Sequence, residues 1–153
     1  MTTRPSADRP LHPVRVFAAL AAVTLIGAGK LAVAAEHDNA GYTADLARLI
    51  NDYRAQHSLP ALSPAPSLSD LAQAHAAAMA REDRLSHDGF KERLAKTHAP
   101  HCVENVGAGY GTARDEFEAW RNSPVHDRNL LDPRIRYMGL GIHRRYVTFF
   151  ACG

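Results

Sequence analysis

The amino-acid sequence predicts an α+β fold, and three features carry that reading. Apolar residues recur at helical spacing through much of residues 43–120, strand-like alternation closes the chain over residues 137–152, and two cysteines, Cys102 and Cys152, stand beside the strand candidates. Helices first and sheet last place a chain in the α+β class. Of the 153 residues, the first 35 read as a targeting segment, and the remainder is long enough for one domain with one core.

The opening segment, 1–35, is a signal peptide by its pattern and is set aside from fold reasoning. Arg4, Arg9 and Arg15 form a basic front, Val16 to Ala28 is apolar and uncharged, and Ala32-Val33-Ala34-Ala35 offers small residues for cleavage after Ala34 or Ala35. The apolar run is shorter than the roughly 20 residues of a spanning helix and Lys30 closes it, so no stable membrane anchor is expected after cleavage. Without a cysteine there, lipid attachment is excluded. Removing the segment lowers the basic residues from 18 to 14 and the acidic ones from 16 to 15. The apparent basicity thus belongs to the signal, and the near-neutral domain has no electrostatic case for nucleic acid. Export to a periplasmic or extracellular compartment makes a Cys102–Cys152 disulfide the expected state; closing a loop of about 50 residues, it contributes roughly 3 to 4 kcal/mol by chain entropy.

Residues 36–42 read as a short, loose lead-in to a domain over 43–153. The first helix is expected to start near Thr43 and end near His57, burying Leu46, Leu49, Ile50 and Tyr53 while Arg48, Asp52 and Arg54 stay wet. Three prolines in Leu59–Pro66 make an extended connection. Ser67 with Asp70 suggests a capping box for an alanine-rich helix to about Arg84, whose buried stripe is Leu68, Leu71, Ala72, His75 and Met79. A short helix follows from Phe90 to about Lys96, then a strand or its approach over Val103–Tyr110. Thr112, with Asp115 three residues on, caps a helix with Ala113, Phe117 and Trp120 inward. Pro124 begins another short helical turn, and Tyr137–Ile142 and Tyr146–Cys152 form an antiparallel hairpin.

The densest run of unlike residues is Trp120–Leu131, where His126 is held near a helix start. His87, in Leu85-Ser86-His87, and Glu104, in Glu104-Asn105, are the two positions that could converge on it. His75 on its apolar stripe reads as a hydrogen-bonded core residue. His98 and His101 beside Cys102 lack the paired spacing of a structural metal site, and Gly107-Ala108-Gly109 is too short for a dinucleotide fingerprint.

The ordered set Asn51-x-x-Arg54, the alanine helix, Leu85-Ser86-His87, Arg93, Glu104-Asn105, Trp120-x-x-Ser123-Pro124-x-His126, Asn129-Leu130-Leu131 and Gly139-Leu140-Gly141 resembles the CAP superfamily, also called the SCP domain, and its bacterial exported branch in particular. The resemblance covers about residues 43–153. It implies a three-layer α-β-α sandwich around a small, mainly antiparallel sheet, with a cleft that collects histidines and glutamates. By matching motif, His87 is similar to the family's first histidine, Glu104 to its Glu-Asn glutamate and His126 to the Ser-Pro-x-His histidine; Asn105 and Ser123 belong to the same cleft. The chain departs from animal and plant members, with Ser123 where a further glutamate would stand and His143 only loosely matching the later histidine strand.

Two imidazoles and a carboxylate are a sensible ligand set for Zn²⁺ or another divalent cation, with an open position for water. Their convergence on a metal is implied by the resemblance, since the spacings carry no metal signature. The alternative is a hydrogen-bonded polar network bracing the cleft. Ser86 or Ser123 acting with a histidine would need a base and an orienting acid in reach. Three classes follow: a binding module for a small lipid, peptide or cell-wall ligand, which is the expected one, a metal-dependent hydrolase, and a non-catalytic interaction domain. A ligand-sized apolar groove beside His87 and His126 marks the first, a tetrahedral arrangement of the three side chains the second, and a broad apolar patch elsewhere the third.

Overall fold

The computed structural model describes residues 27–153, with side chains described from residue 39. Most of the signal reading, residues 1–26, lies outside the described residues. Five helices and four strands follow in the order α1 (Gly27–Gln56), β1 (Ser63–Pro64), α2 (Pro66–Glu82), α3 (Phe90–Thr97), β2 (Cys102–Ala108), α4 (Ala113–Arg121), α5 (Pro124–Leu130), β3 (Tyr137–His143) and β4 (Tyr146–Cys152). Among the described residues no helix is long and apolar enough to cross a membrane.

Helix α1 already includes the residues before Thr43, where the sequence suggested it would begin. The expected lead-in, 36–42, is helical, and so is the expected cleavage region. Alanines and leucine in this stretch favour helix, and no proline interrupts it. Thr43 is therefore a mid-helix residue whose Oγ1 donates back to the Asn39 and Ala40 carbonyls, at 3.1 and 3.2 Å, and does not cap a helix start. The start of α2 also departs from expectation. Pro66 takes its first turn, and Ala65 is the N-cap without a side-chain bond, so the Ser67–Asp70 capping box does not form. Thr112 does cap α4, accepting from the Asp115 N–H at 3.1 Å.

The sheet order is β1-β3-β4-β2, with β1 parallel to β3 and the other pairs antiparallel. Strand alternation gives each face its own core. On one face Val147, Phe149 and Ala151 of β4 pack with Leu46, Ile50, Phe117, Trp120 and Leu130 from α1, α4 and α5. On the other, Phe150, Cys102 and Cys152 meet Leu68 and Ala72 of α2. The result is an α-β-α sandwich. Helix α2 lies directly on β3: a Cβ added at Gly139 would come within 2.1 Å of the Leu68 backbone, and one at Gly141 within 2.3 Å of the Gln73 nitrogen. The alanine-rich helix and the Gly-Leu-Gly strand are two halves of one close approach.

Two polar residues of α1 fix the loops. Asn51 brackets Leu62, donating to its carbonyl at 3.1 Å and accepting from its N–H at 2.8 Å. Arg54, expected to stay wet, is fully buried and donates to the carbonyls of Pro60, Leu130 and Asp132 at 3.0, 2.8 and 3.1 Å. Its helical position gave no warning, because the carbonyls it meets belong to the connection after α1 and to the end of α5 with the turn that follows it, which fold back over it. Cys102 and Cys152 are bonded and sit opposite each other in the β2–β4 register.

Candidate functional site

Glu104 and Asn105 are neighbours on an edge strand, so their side chains point to opposite faces of the sheet. This alternation divides the expected site in two. On the α2–α3 side, the Glu104 carboxylate is buried and doubly engaged by Arg93, Nε donating to Oε2 and Nη2 to Oε1, each at 2.8 Å. His87 Nδ1 lies 2.9 Å from Oε1 and donates to it, leaving Nε2 turned outward from a side chain that is 53 % exposed. Arg93 Nη1 further bonds the Asp88 carbonyl at 2.8 Å and His75 Nδ1 at 3.1 Å. His75 Nε2 must then donate to the Ser86 carbonyl, 2.8 Å away. This tautomer is the neutral one, and burial, the largest influence, lowers the His75 pKa below its usual range.

On the α5 side, Asn105 Nδ2 donates to the His126 carbonyl at 3.1 Å, and Asn129 Nδ2 donates to both Asn105 Oδ1, at 2.8 Å, and the Glu104 carbonyl, at 3.0 Å. These amides clamp α5 to β2 and set the position of His126. Its ring makes no hydrogen bond among the described residues, and burial followed by the neighbouring His87 lowers its pKa, so it is neutral near pH 7. Next to it is a groove of about 260 Å³ lined by Leu85, Val106, Tyr110, Trp120, Ser123 and His126, with Gly107, Ala108 and Ala119 completing the wall. Leu85 and Tyr110 stand exposed at its margin.

The structure thus joins His87 to Glu104 directly and Ser123 to His126 in one groove, with Asn105 reaching His126 only through its backbone. His126 lies near enough to His87 to feel its charge but makes no bond to His87 or Glu104, and among the described residues no group of three His, Cys, Asp or Glu side chains is arranged to hold a metal ion. Arg93 occupies both Glu104 oxygens and already neutralises the carboxylate, so a divalent cation there would face a guanidinium held in place by four polar contacts. Neither Ser86 nor Ser123 hydrogen-bonds an imidazole among the described residues. The Ser86 hydroxyl accepts from the Asp88 N–H at 3.4 Å, and Ser123 stands at the N-cap position of α5 without a side-chain capping bond.

Residues 47–152 match the family model described as the cysteine-rich secretory protein family, CAP. The chain belongs to the CAP family. Among solved structures, this CAP domain is similar to an extracellular protein containing an SCP domain from Bacillus anthracis str. Ames, at 25% identity and a TM-score of 0.71 over 74% of this chain and 41% of that one. A cysteine-rich secretory protein from Staphylococcus aureus subsp. aureus Mu50 shares the fold at 22% identity and a TM-score of 0.69, over 74% and 38% of the two chains. So does an outer surface protein from Borrelia burgdorferi, at 18% identity and a TM-score of 0.67, over 73% and 92%. The uncharacterized membrane protein YlbC from Bacillus subtilis (strain 168) is 28% identical over 107 residues, which are 65% of this chain and 31% of YlbC. The chain thus spans about a third of that relative.

Arg93 and Glu116 are the residues whose weight the sequence concealed. Arg93 belongs to the family pattern, yet nothing local shows that it organises Glu104, His75 and the Asp88 turn at once. Glu116 follows Asp115 in the first turn of α4, where acidic residues normally favour the helix dipole from solvent. It is instead fully buried over Gly107, where an added Cβ would strike its Oε1.

Proposed function

We propose that this CAP domain is an exported, non-catalytic binding module whose groove beside His126 takes a small ligand with an apolar body and a hydrogen-bonding end. The groove carries this reading: Leu85, Val106, Ala119 and Trp120 supply apolar wall, while Ser123 and the neutral His126 supply the polar contacts that fix orientation. The paired cysteines and the extracellular or surface descriptions of the solved relatives support export. The His87–Glu104 pair favours a hydrolytic reading, since an oriented imidazole can act as a base. Its carboxylate is fully engaged by Arg93 and no hydroxyl is bonded to either histidine, so the binding reading is the stronger one.

Trp120, the chain's only tryptophan, lines the groove and makes its fluorescence a direct reporter. Titration of the full chain with dodecanoate, a tetrapeptide pool and a disaccharide-peptide cell-wall fragment is expected to give saturable quenching with at least one class. Ser123→Phe, which fills the groove, should weaken it about tenfold or more with little change in melting temperature. Equal binding by Ser123→Phe and the parent would reject the groove as the site.

A further inference from the structure

We propose that the ligand is a short extended peptide that adds to the outer edge of β2; this deepens the binding reading above and rests on it. The hydrogen-bond parity of β2 carries the inference. Gly109 N–H donates to the Arg145 carbonyl at 2.9 Å and the His101 carbonyl accepts from Gly153 N–H at 3.1 Å, so the odd-numbered residues turn their backbone groups toward β4. In an antiparallel pair both groups of alternate residues point the same way, which turns Glu104, Val106 and Ala108 outward. Two side-chain contacts mark that direction independently: Asn129 Nδ2 donates to the Glu104 carbonyl and Trp120 Nε1 to the Val106 carbonyl, at 3.0 and 3.2 Å.

The outer edge is therefore half satisfied. Trp120 of α4 and Asn129 of α5 cap the Val106 and Glu104 carbonyls, while the outward Val106 and Ala108 N–H groups face away from β4, the strand that pairs with β2 among the described residues, and meet no side-chain acceptor there. Both residues line the groove. A backbone donor left unpaired in a largely buried strand costs about as much as a lost hydrogen bond, so an acceptor is favoured there. The two donors are one pleat apart, about 7 Å, which is the spacing of alternate carbonyls in an extended chain. A fatty acid brings its acceptors to a single head and cannot meet both. A peptide can, in the manner of strand addition to a sheet edge, with its side chains against Leu85 and Tyr110. The Trp120 and Asn129 caps confine the addition to a few residues and make the peptide's carbonyls its main handle.

The test passes a random pool of acetylated tetrapeptide amides over the immobilised full chain and follows amide hydrogen exchange with the retained peptides. In the free chain, the Val106 and Ala108 amides should exchange faster than those of Asn105 and Gly107, and bound peptide should slow them about tenfold or more. Ala108→Pro, which removes one outward donor at an edge position that tolerates proline, should weaken binding about tenfold. Retention without slowed exchange at Val106 and Ala108, or no retained peptide at all, overturns the proposal, and the exchange readout decides even if Ala108→Pro fails to fold. Dodecanoate binding lost in Ser123→Phe, with no tetrapeptide retained, would leave the groove standing and remove the peptide from it.

Discussion

At Glu116 the balance of forces sets a pH dependence. Its carboxyl is fully buried, both oxygens lack a hydrogen bond among the described residues, and the missing side chain at Gly107 leaves room for it. Burial raises its pKa from 4.5 to about 8, with the nearby Tyr42 hydroxyl offsetting only part of the effect. A carboxyl whose folded pKa lies above its unfolded value stabilises fully below the unfolded pKa and loses that contribution as pH rises through the folded one. Stability should therefore fall between about pH 4.5 and 8, by an amount on the order of 3 to 5 kcal/mol. Urea unfolding at pH 5, 7 and 9 checks this: Glu116→Gln should flatten the decline between pH 5 and 9, and parallel curves for the two proteins would refute it. His75 acts in the opposite sense, since its lowered pKa costs stability as pH falls below the ordinary histidine range. His87, Glu104 and His126 could be singled out as candidates because they stand in motifs, whereas the sequence hid Glu116, whose burial depends on a glycine in a strand packed across from it.

Among the elements, α2 and β3 show how a packing distance is encoded. Alanines on one partner and glycines on the other remove the side-chain layer that would otherwise separate helix from strand. Gly141→Ala would set a methyl against the Gln73 backbone at 2.3 Å, where no side chain can move aside. Overpacking of a core commonly costs about 1 to 3 kcal/mol, and backbone contact puts this substitution at the upper end. A chemical-denaturation midpoint within error of the parent would show that α2 can retreat freely. Gln73 makes such a retreat expensive, because its side-chain amide holds both backbone groups of Ile142 at 3.0 Å. These elements were legible in the sequence because alanine periodicity and a Gly-x-Gly strand are local patterns. The helical state of residues 36–42, the cap of α2 and the division of Glu104 from Asn105 across the sheet were less so, since none is marked by a local pattern of its own.

Across the whole molecule, the candidate site hangs on an edge strand that has one strand neighbour, β4, and the disulfide is the covalent tie between them. Cys102 and Cys152 are directly opposed, two residues before Glu104 along β2, and the bond closes a separation of 50 residues. A loop of that length corresponds to roughly 4 kcal/mol of stabilisation through the unfolded chain. The tie also fixes the register that turns Glu104 toward Arg93 and Asn105 toward α5, because a one-residue slip would exchange their faces. The double variant Cys102→Ala/Cys152→Ala should therefore lose about 3 to 4 kcal/mol in urea unfolding. It should also raise amide exchange in β2 more than in β3, which is paired on both sides by β1 and β4. If the loss were uniform over the sheet, the bond would act on the unfolded chain alone; a loss concentrated at Val103–Val106 would show that the disulfide also holds in place the strand from which both halves of the site are built.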